Sequence, residues 1–378
     1  MAVPSFTGNK LKDEILFLLV CVVRIDREML NILHPSTRYI SRSLRELQEK
    51  GYILLHTKTK PYFAVLAKAG IELIRENDPA SYAHYMQISN QNKYGWTGRH
   101  MEVTRRAAGI ITQMHAAGVL VGPQKPNLQE LLADPAKKLD VRVPTFYLNK
   151  EIRYADEQRE GRTQITRSSG VVFSEGIRAV VYNTMDAAMQ IQRRPEIEAN
   201  IRLVRQVRDI YRDPVVTEVR DSIVFCKNDA AALRIFAQRS NKRGKRPLIG
   251  DAVWDRTLTG ADFRYIPCTP DGSVSLRCIT KLTGEDFLHI CFDAEEIETA
   301  KQAGMGDAVV GGRICYEYLS CNVSKLARIK NRHADLSQIG IVCREGQEAF
   351  VRGFLGEDIP MRVYKKDAIL KKIADTEA

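Results

Sequence analysis

The stretch from Ser36 to Leu66 constrains this chain more than any other, because it reads as an unbroken succession of bounded elements. Ser36 can cap a helix through its hydroxyl, and Gly51 is the residue type that ends one in a left-handed turn. Between them, STRYISRSLRELQEK has one apolar face: Ile40, Leu44 and Leu47 recur at i, i+4 and i+7 and predict a buried stripe. Arg38, Ser41, Arg42 and Arg45 are left on the outward side. Tyr52 to Leu55 and Tyr62 to Leu66 then predict two strands around the basic turn HTKTKP, and AKAGIELI predicts a further helix.

Two more short helices are expected upstream, one over Leu11 to Val23 and one over Asp26 to Leu33 that opens on a capping aspartate. Three short helices followed by a hairpin with a basic loop read as a winged helix-turn-helix. In that arrangement the third helix enters a major groove and the wing cations meet phosphates. The DNA-contact candidates are Ser36, Thr37, Arg38, Ser41, Arg42 and Arg45 on the helix, with Lys58 and Lys60 on the wing. Residues 1–75 carry 12 Lys and Arg against 7 Asp and Glu, and the whole chain has a formal net charge of +11, a balance that favours polyanionic partners. Winged helices also serve as protein-binding and dimerisation modules. Three arginines on the helix together with two lysines on the wing favour DNA over that reading.

Several classes are excluded. The most apolar run, Ile15 to Val23, has nine residues, whereas a bilayer span needs roughly 20. The N-terminus has no secretory pattern, so a cytoplasmic protein is expected. Eight cysteines without a CxxC spacing and seven scattered histidines argue for buried thiols and against a zinc site or any cofactor. At 378 residues, 44% apolar and 27% charged, the chain has the make-up of a folded protein of two or three domains.

Beyond the winged region, 76–100 looks like a connector and 122–170 reads as mostly irregular. From Gly170 the pattern is strand, strand, helix, strand, helix: GVVF, Ile177 to Thr184, Pro195 to Arg212, Ser222 to Cys226 and Asp229 to Arg239. Strands at Ile339 to Cys343 and Pro360 to Tyr364 flank a helix at Gly346 to Phe354. The expected division is 1–75 winged helix, 76–169 helical connector and irregular linker, 170–300 mixed α/β domain and 301–378 an α/β extension.

The central succession is shared with nucleases of the PD-(D/E)XK class, which hold a metal on carboxylates and place a lysine by the attacking water. Here the second strand ends in Tyr182, Asn183 and Thr184, with Asp186 following and no acid-x-Lys. Asp186 is expected to cap a helix, and no enzyme activity is expected. Gly304 to Arg313 lacks the residues of a phosphate loop and reads as a flexible loop; Cys315 and Cys343 have no histidine nearby in sequence. Two basic features remain. Arg202, Arg205 and Arg208 form a stripe that a solvated helix face explains best. Lys242, Arg243, Lys245 and Arg246 in SNKRGKRP are better placed to bind phosphates.

The strings TRYISRSLRELQEKGYI and YFAVLAKAGIELI resemble the winged-helix start of the replication-relaxation proteins of plasmids and integrative conjugative elements. RHMEVTRRAAGIITQM resembles the helix after the wing there, and SSGVVFSEGIRAVVYNTMDAAMQIQRR is similar to the central strands of relatives in conjugative elements, so the resemblance covers about residues 10 to 230. It implies a DNA-binding role in the replication, mobilisation or transcription of a mobile element. The expected fold class is α+β, a winged helix-turn-helix followed by a larger α/β domain resembling a degenerate restriction-endonuclease-like core. The expected partners are double-stranded DNA, a relaxase or replication protein, and a second copy of the chain in a homodimer, without a membrane. The alternatives are a metal-dependent nuclease or nicking accessory with displaced catalytic residues, and a scaffold for a relaxase or replication initiator.

Overall fold

In the computed structural model the described residues are 3–58, 61–91, 99–134, 136–149, 151–152, 168–211, 221–240 and 246–377. The chain is of mixed α+β class, with helices distributed over three open sheets.

The apolar run at the N-terminus becomes α1 (Lys10–Val22), started by Asn9, whose side chain accepts from the Lys12 amide at 3.2 Å. Every residue from Ile15 to Val22 is buried, so the run is a central core helix. β1 (Arg24–Asp26) follows, then a 3-10 helix over Arg27–Ile32 and α2 (Thr37–Glu49). Ser36 caps α2 by accepting from the Tyr39 amide at 3.2 Å, and Gly51 takes φ +70° just beyond it, as their types predict. β2 (Ile53–His56) and β3 (Phe63–Leu66) form the expected hairpin, and β1 adds a third strand in the order β1-β3-β2, all antiparallel. In α3 (Lys68–Asn77), Gly70 lies against β2 so closely that a Cβ there would stand 2.1 Å from the Tyr52 carbonyl oxygen.

One expectation for this region is corrected. Asp26 makes no helix cap; its carboxylate is buried and paired with Arg24 at 3.0 Å and Arg105 at 2.8 Å. Two arginine donors outcompete a backbone amide for the same oxygens, although burial still pushes the carboxyl pKa up. The stretch read as a helical connector, with a helix after the wing, holds two helices that both pack on the N-terminal elements. α4 (Pro79–Gln91) packs on α1 and α3, and α5 (Arg99–Ala116) touches α1, β1 and the 3-10 helix. Ala108, Ile110, Ile111 and Met114 of α5 are buried, an apolar stripe that follows its polar first turns.

The second sheet holds β4 (Thr145–Leu148), β5 (Gly170–Phe173), β6 (Arg178–Met185), β7 (Asp221–Cys226) and β8 (Asp262–Pro267) in chain order. α6 (Leu128–Ala133) and β4 both fall within the stretch that reads as irregular. β4, β5 and β6 pair antiparallel, and β6, β7 and β8 pair parallel. Parallel neighbours need crossovers, supplied by α7 (Arg193–Tyr211) and by α8 (Asp229–Ala237) with α9 (Ile249–Trp254). The pleat divides the core: Ala179, Val181, Ile223 and Phe225 pack with residues of α1, α2 and α5, whereas Val180, Tyr182, Val224 and Cys226 pack with residues of α7, α8 and α9.

α10 (Pro270–Lys281), α11 (Gly284–Cys291) and α12 (Ala294–Ala303) lead to the third sheet. It contains β9 (Ala308–Val310), β10 (Arg313–Glu317), β11 (Ile339–Arg344) and β12 (Met361–Tyr364) in the order β12-β11-β10-β9, with α13 (Val323–Arg332) and α14 (Glu348–Leu355) as crossovers and α15 (Lys366–Glu377) at the end. The glycine-rich stretch read as a flexible loop is instead the β9–β10 hairpin. Gly311 and Gly312 take φ +54° and +78° at its tip, and glycine supplies those angles at least cost.

Candidate nucleic-acid interface

Ile40, Leu44 and Leu47 are buried in the main core with α1, and this fixes which side of α2 faces water. Arg38, Arg42 and Arg45 are exposed at i, i+4 and i+7, one continuous strip along the helix. Among the described residues, neither Arg38 nor Arg45 makes an ion pair. Arg42 is 76% exposed and its Nε donates to Glu46 at 2.7 Å. The same carboxylate receives Lys12 of α1 at 2.5 Å, and hydrogen bonds from Lys12 and Arg42 hold it at about 2, well below the usual carboxylate range. Glu46 in turn pushes the Arg42 guanidinium further up.

The remaining predicted contacts differ in availability. Ser36 is the exposed cap, and Thr37 is the exposed first residue of the helix. Ser41 is committed: its Oγ donates to the Thr37 carbonyl at 2.6 Å and accepts from Arg27 Nη2 at 2.6 Å. Lys58 is exposed just after β2, whereas Lys60 lies outside the described residues.

Sequence reasoning missed three side chains beside this strip. Arg27 reaches it through Ser41, and Lys12 reaches it through Glu46. Tyr39, 36% exposed, accepts from Asn9 Nδ2 at 3.2 Å, and its ring lies 4.9 Å from that of His34. The Arg42–Glu46 pair was visible as an i, i+4 spacing. Arg27 and Lys12 come from other elements and gave no local signal.

In the second basic segment, Lys242, Arg243 and Lys245 lie outside the described residues. Arg246 is exposed ahead of α9. The buried residues of α9 belong to one hydrophobic core, together with one face of the second sheet, and those of α2 to the other. In the arginine stripe of α7, Arg202 donates Nε to the Glu198 carbonyl at 3.4 Å.

At the end of β6 the polar groups serve the fold. Tyr182 donates its hydroxyl to Glu196 at 2.6 Å, Asn183 donates to the Arg106 carbonyl at 2.8 Å, and Thr184 donates to the Phe225 carbonyl at 3.0 Å. Asp186 is exposed in a turn, with its carbonyl accepting from Arg234, and α7 begins only at Arg193; the expected helix cap is not made. Among the described residues, no group of three or more His, Cys, Asp or Glu side chains is placed to hold a metal ion. All eight cysteines are free and seven are buried; burial pushes the Cys21, Cys268 and Cys278 thiols up to about 12. No described helix is long and apolar enough to cross a membrane. Comparison with protein-family models, curated proteins and solved structures finds no match.

Proposed function

We propose that the protein binds double-stranded DNA through α2 and the loop between β2 and β3, in the manner of a winged helix-turn-helix. The observation that carries the reading is the strip of Arg38, Arg42 and Arg45 on a helix whose opposite face is locked into the core. A rigid helix with outward arginines can present fixed donors to base edges, while Lys58, Arg27 and Lys60 supply phosphate contacts. The five-stranded sheet then serves as a non-cutting body, a degenerate form of a nuclease-like core. The groups at the end of β6 are spent on internal hydrogen bonds, and this favours the non-cutting reading. The likeness of the N-terminal strings to replication-relaxation proteins suggests that the DNA belongs to a mobile element and that a relaxase or replication protein is a further partner.

A second reading, a protein-binding winged helix acting as a scaffold or homodimer contact, is favoured by the exposed apolar side chains Tyr39, Leu54 and Tyr62 in the same region. The two differ in salt response. Binding to a duplex should weaken steeply between 50 and 200 mM salt through counterion release, whereas an apolar protein contact responds weakly. Fluorescence anisotropy with labelled random duplex across that range is the test. No binding at the lowest salt would remove the DNA reading.

A further inference from the structure

Glu46 holds two cations at the edge of the arginine strip. It lies one helical turn from Arg42 on the outward side of α2, and its two oxygens are shared between Arg42 Nε at 2.7 Å and Lys12 Nζ at 2.5 Å. One cation comes from the candidate recognition helix and the other from α1. The carboxylate is one-third exposed, so it is not part of the sealed core, and Arg42 is open to solvent. An anion held between an arginine and a lysine from two elements mimics a phosphate oxygen pair in charge and in hydrogen-bond geometry. We infer that Glu46 is a built-in phosphate surrogate that occupies Lys12 and Arg42 in the free protein and must be displaced before both can contact DNA. This inference rests on the DNA-binding reading and adds a control to the same site.

Two consequences distinguish it from a merely structural ion pair. The surrogate lowers the affinity for any duplex, because the cations it occupies contact phosphates without regard to sequence. It also lowers the number of counterions released on binding, since cations already neutralised by a carboxylate displace fewer. With the low pKa, the carboxylate stays charged at any pH used for binding, so the restraint is permanent and only a competing polyanion relieves it.

The test compares the full-length wild type with Glu46→Gln and Glu46→Ala on random and specific duplexes between 50 and 200 mM salt. Both variants should bind more tightly at 50 mM, with a steeper salt slope. Each released cation adds about 0.9 to the slope, so the advantage over wild type should shrink by about 3.5-fold per added contact across that range. Lys12→Ala should change little in wild type but weaken the Glu46→Gln background. Because Glu46 also bridges α1 and α2, thermal melting of each variant checks the fold, and the isosteric Gln keeps the test open if Ala is unstable. Unchanged or weaker binding by a folded Glu46→Gln variant, with wild type binding normally, overturns the surrogate alone. Absence of DNA binding by wild type and variants alike removes the underlying reading and this inference with it.

Discussion

Arg105 of α5 and Asp26 at the end of β1 pair at 2.8 Å across 79 residues of sequence, and Arg24 closes the same carboxylate from within its own strand at 3.0 Å. The Arg24 guanidinium also lies over the Phe63 ring of β3, 3.7 Å from its centroid. One carboxylate thus ties the N-terminal sheet to the helix that touches β6. The helix carrying the arginine strip is therefore held on the body of the protein and does not swing on a tether.

Removing the shared acid should cost more than removing either donor. Asp26→Ala removes the carboxylate that both the buried Arg24 and Arg105 engage, and should destabilise by about 3 to 5 kcal/mol. Arg105→Ala leaves Arg24 on the carboxylate and should cost about 1.5 to 3 kcal/mol. Urea unfolding gives both values. A midpoint for Asp26→Ala equal to that of wild type would show the network to be dispensable.

On α2, Arg38→Ala and Arg45→Ala should each weaken binding to a specific duplex by about 1 to 3 kcal/mol, with unfolding midpoints unchanged. Arg42→Ala should cost less, because Glu46 already engages Arg42. Anisotropy titrations on one duplex compare the three. No loss at any of the three would place the base contacts elsewhere, and an equal loss at all three would show that Glu46 does not weaken the Arg42 contact.

The second basic segment should act only on long DNA. Arg246 precedes α9, whose buried residues belong to a different core from those of α2, so a duplex of about 15 base pairs, roughly 50 Å long, is expected to engage α2 alone. Replacing Lys242, Arg243, Lys245 and Arg246 with Ser should leave that duplex unaffected. Binding to a duplex several times longer should weaken, with the salt slope reduced by up to about 0.9 per lost contact. Identical slopes on the long duplex would leave this segment as a solvated connection.

Part of the acid sensitivity should be traceable to His115, another part coming from His84, which burial also holds down at about 4. The His115 side chain is buried against Phe17, with ring centroids 5.3 Å apart, and its Nδ1 has no hydrogen-bond partner in the described structure. Burial holds its pKa down at about 4 against an ordinary value of 6.5. The unfolded chain therefore binds the proton first as pH falls, and the folded state loses up to about 1.4 kcal/mol per pH unit between 6.5 and 4. His115→Leu should flatten the stability profile in that window, as read by urea midpoints at several pH values. A profile parallel to that of wild type would mean that His115 does not titrate there.

Much of the fold is legible in particular residues. Ser36 and Gly51 bound α2, Ile40, Leu44 and Leu47 mark its buried side, and the apolar runs at 170–173, 222–226 and 339–343 are strands. These signals are local, carried by a cap, a left-handed turn or a period of 2 or 3.6, and the chain states them without help from distant residues. What depends on distant partners could not be read. Asp26 stands where a cap belongs, and it became a buried ion partner because α5 brought Arg105 to it. The helix after the wing was legible as a helix, but that α5 packs against strands of two sheets was not. The two glycines read as a flexible loop close a hairpin because β9 has β10 to pair with.

The sequence alone therefore determined which residues of α2 face inward and which stand outward as cations, since helix period and side-chain polarity settle that within one element. Only the tertiary structure decided which of those cations are available. Arg38 and Arg45 make no ion pair among the described residues, whereas Arg42 and Lys12 meet on Glu46 and Ser41 is held by Arg27. The reason is geometric: a charge is neutralised by whatever lies within a few ångströms of it, and Lys12 and Arg27 come within that distance only when α1 and the 3-10 helix pack on α2.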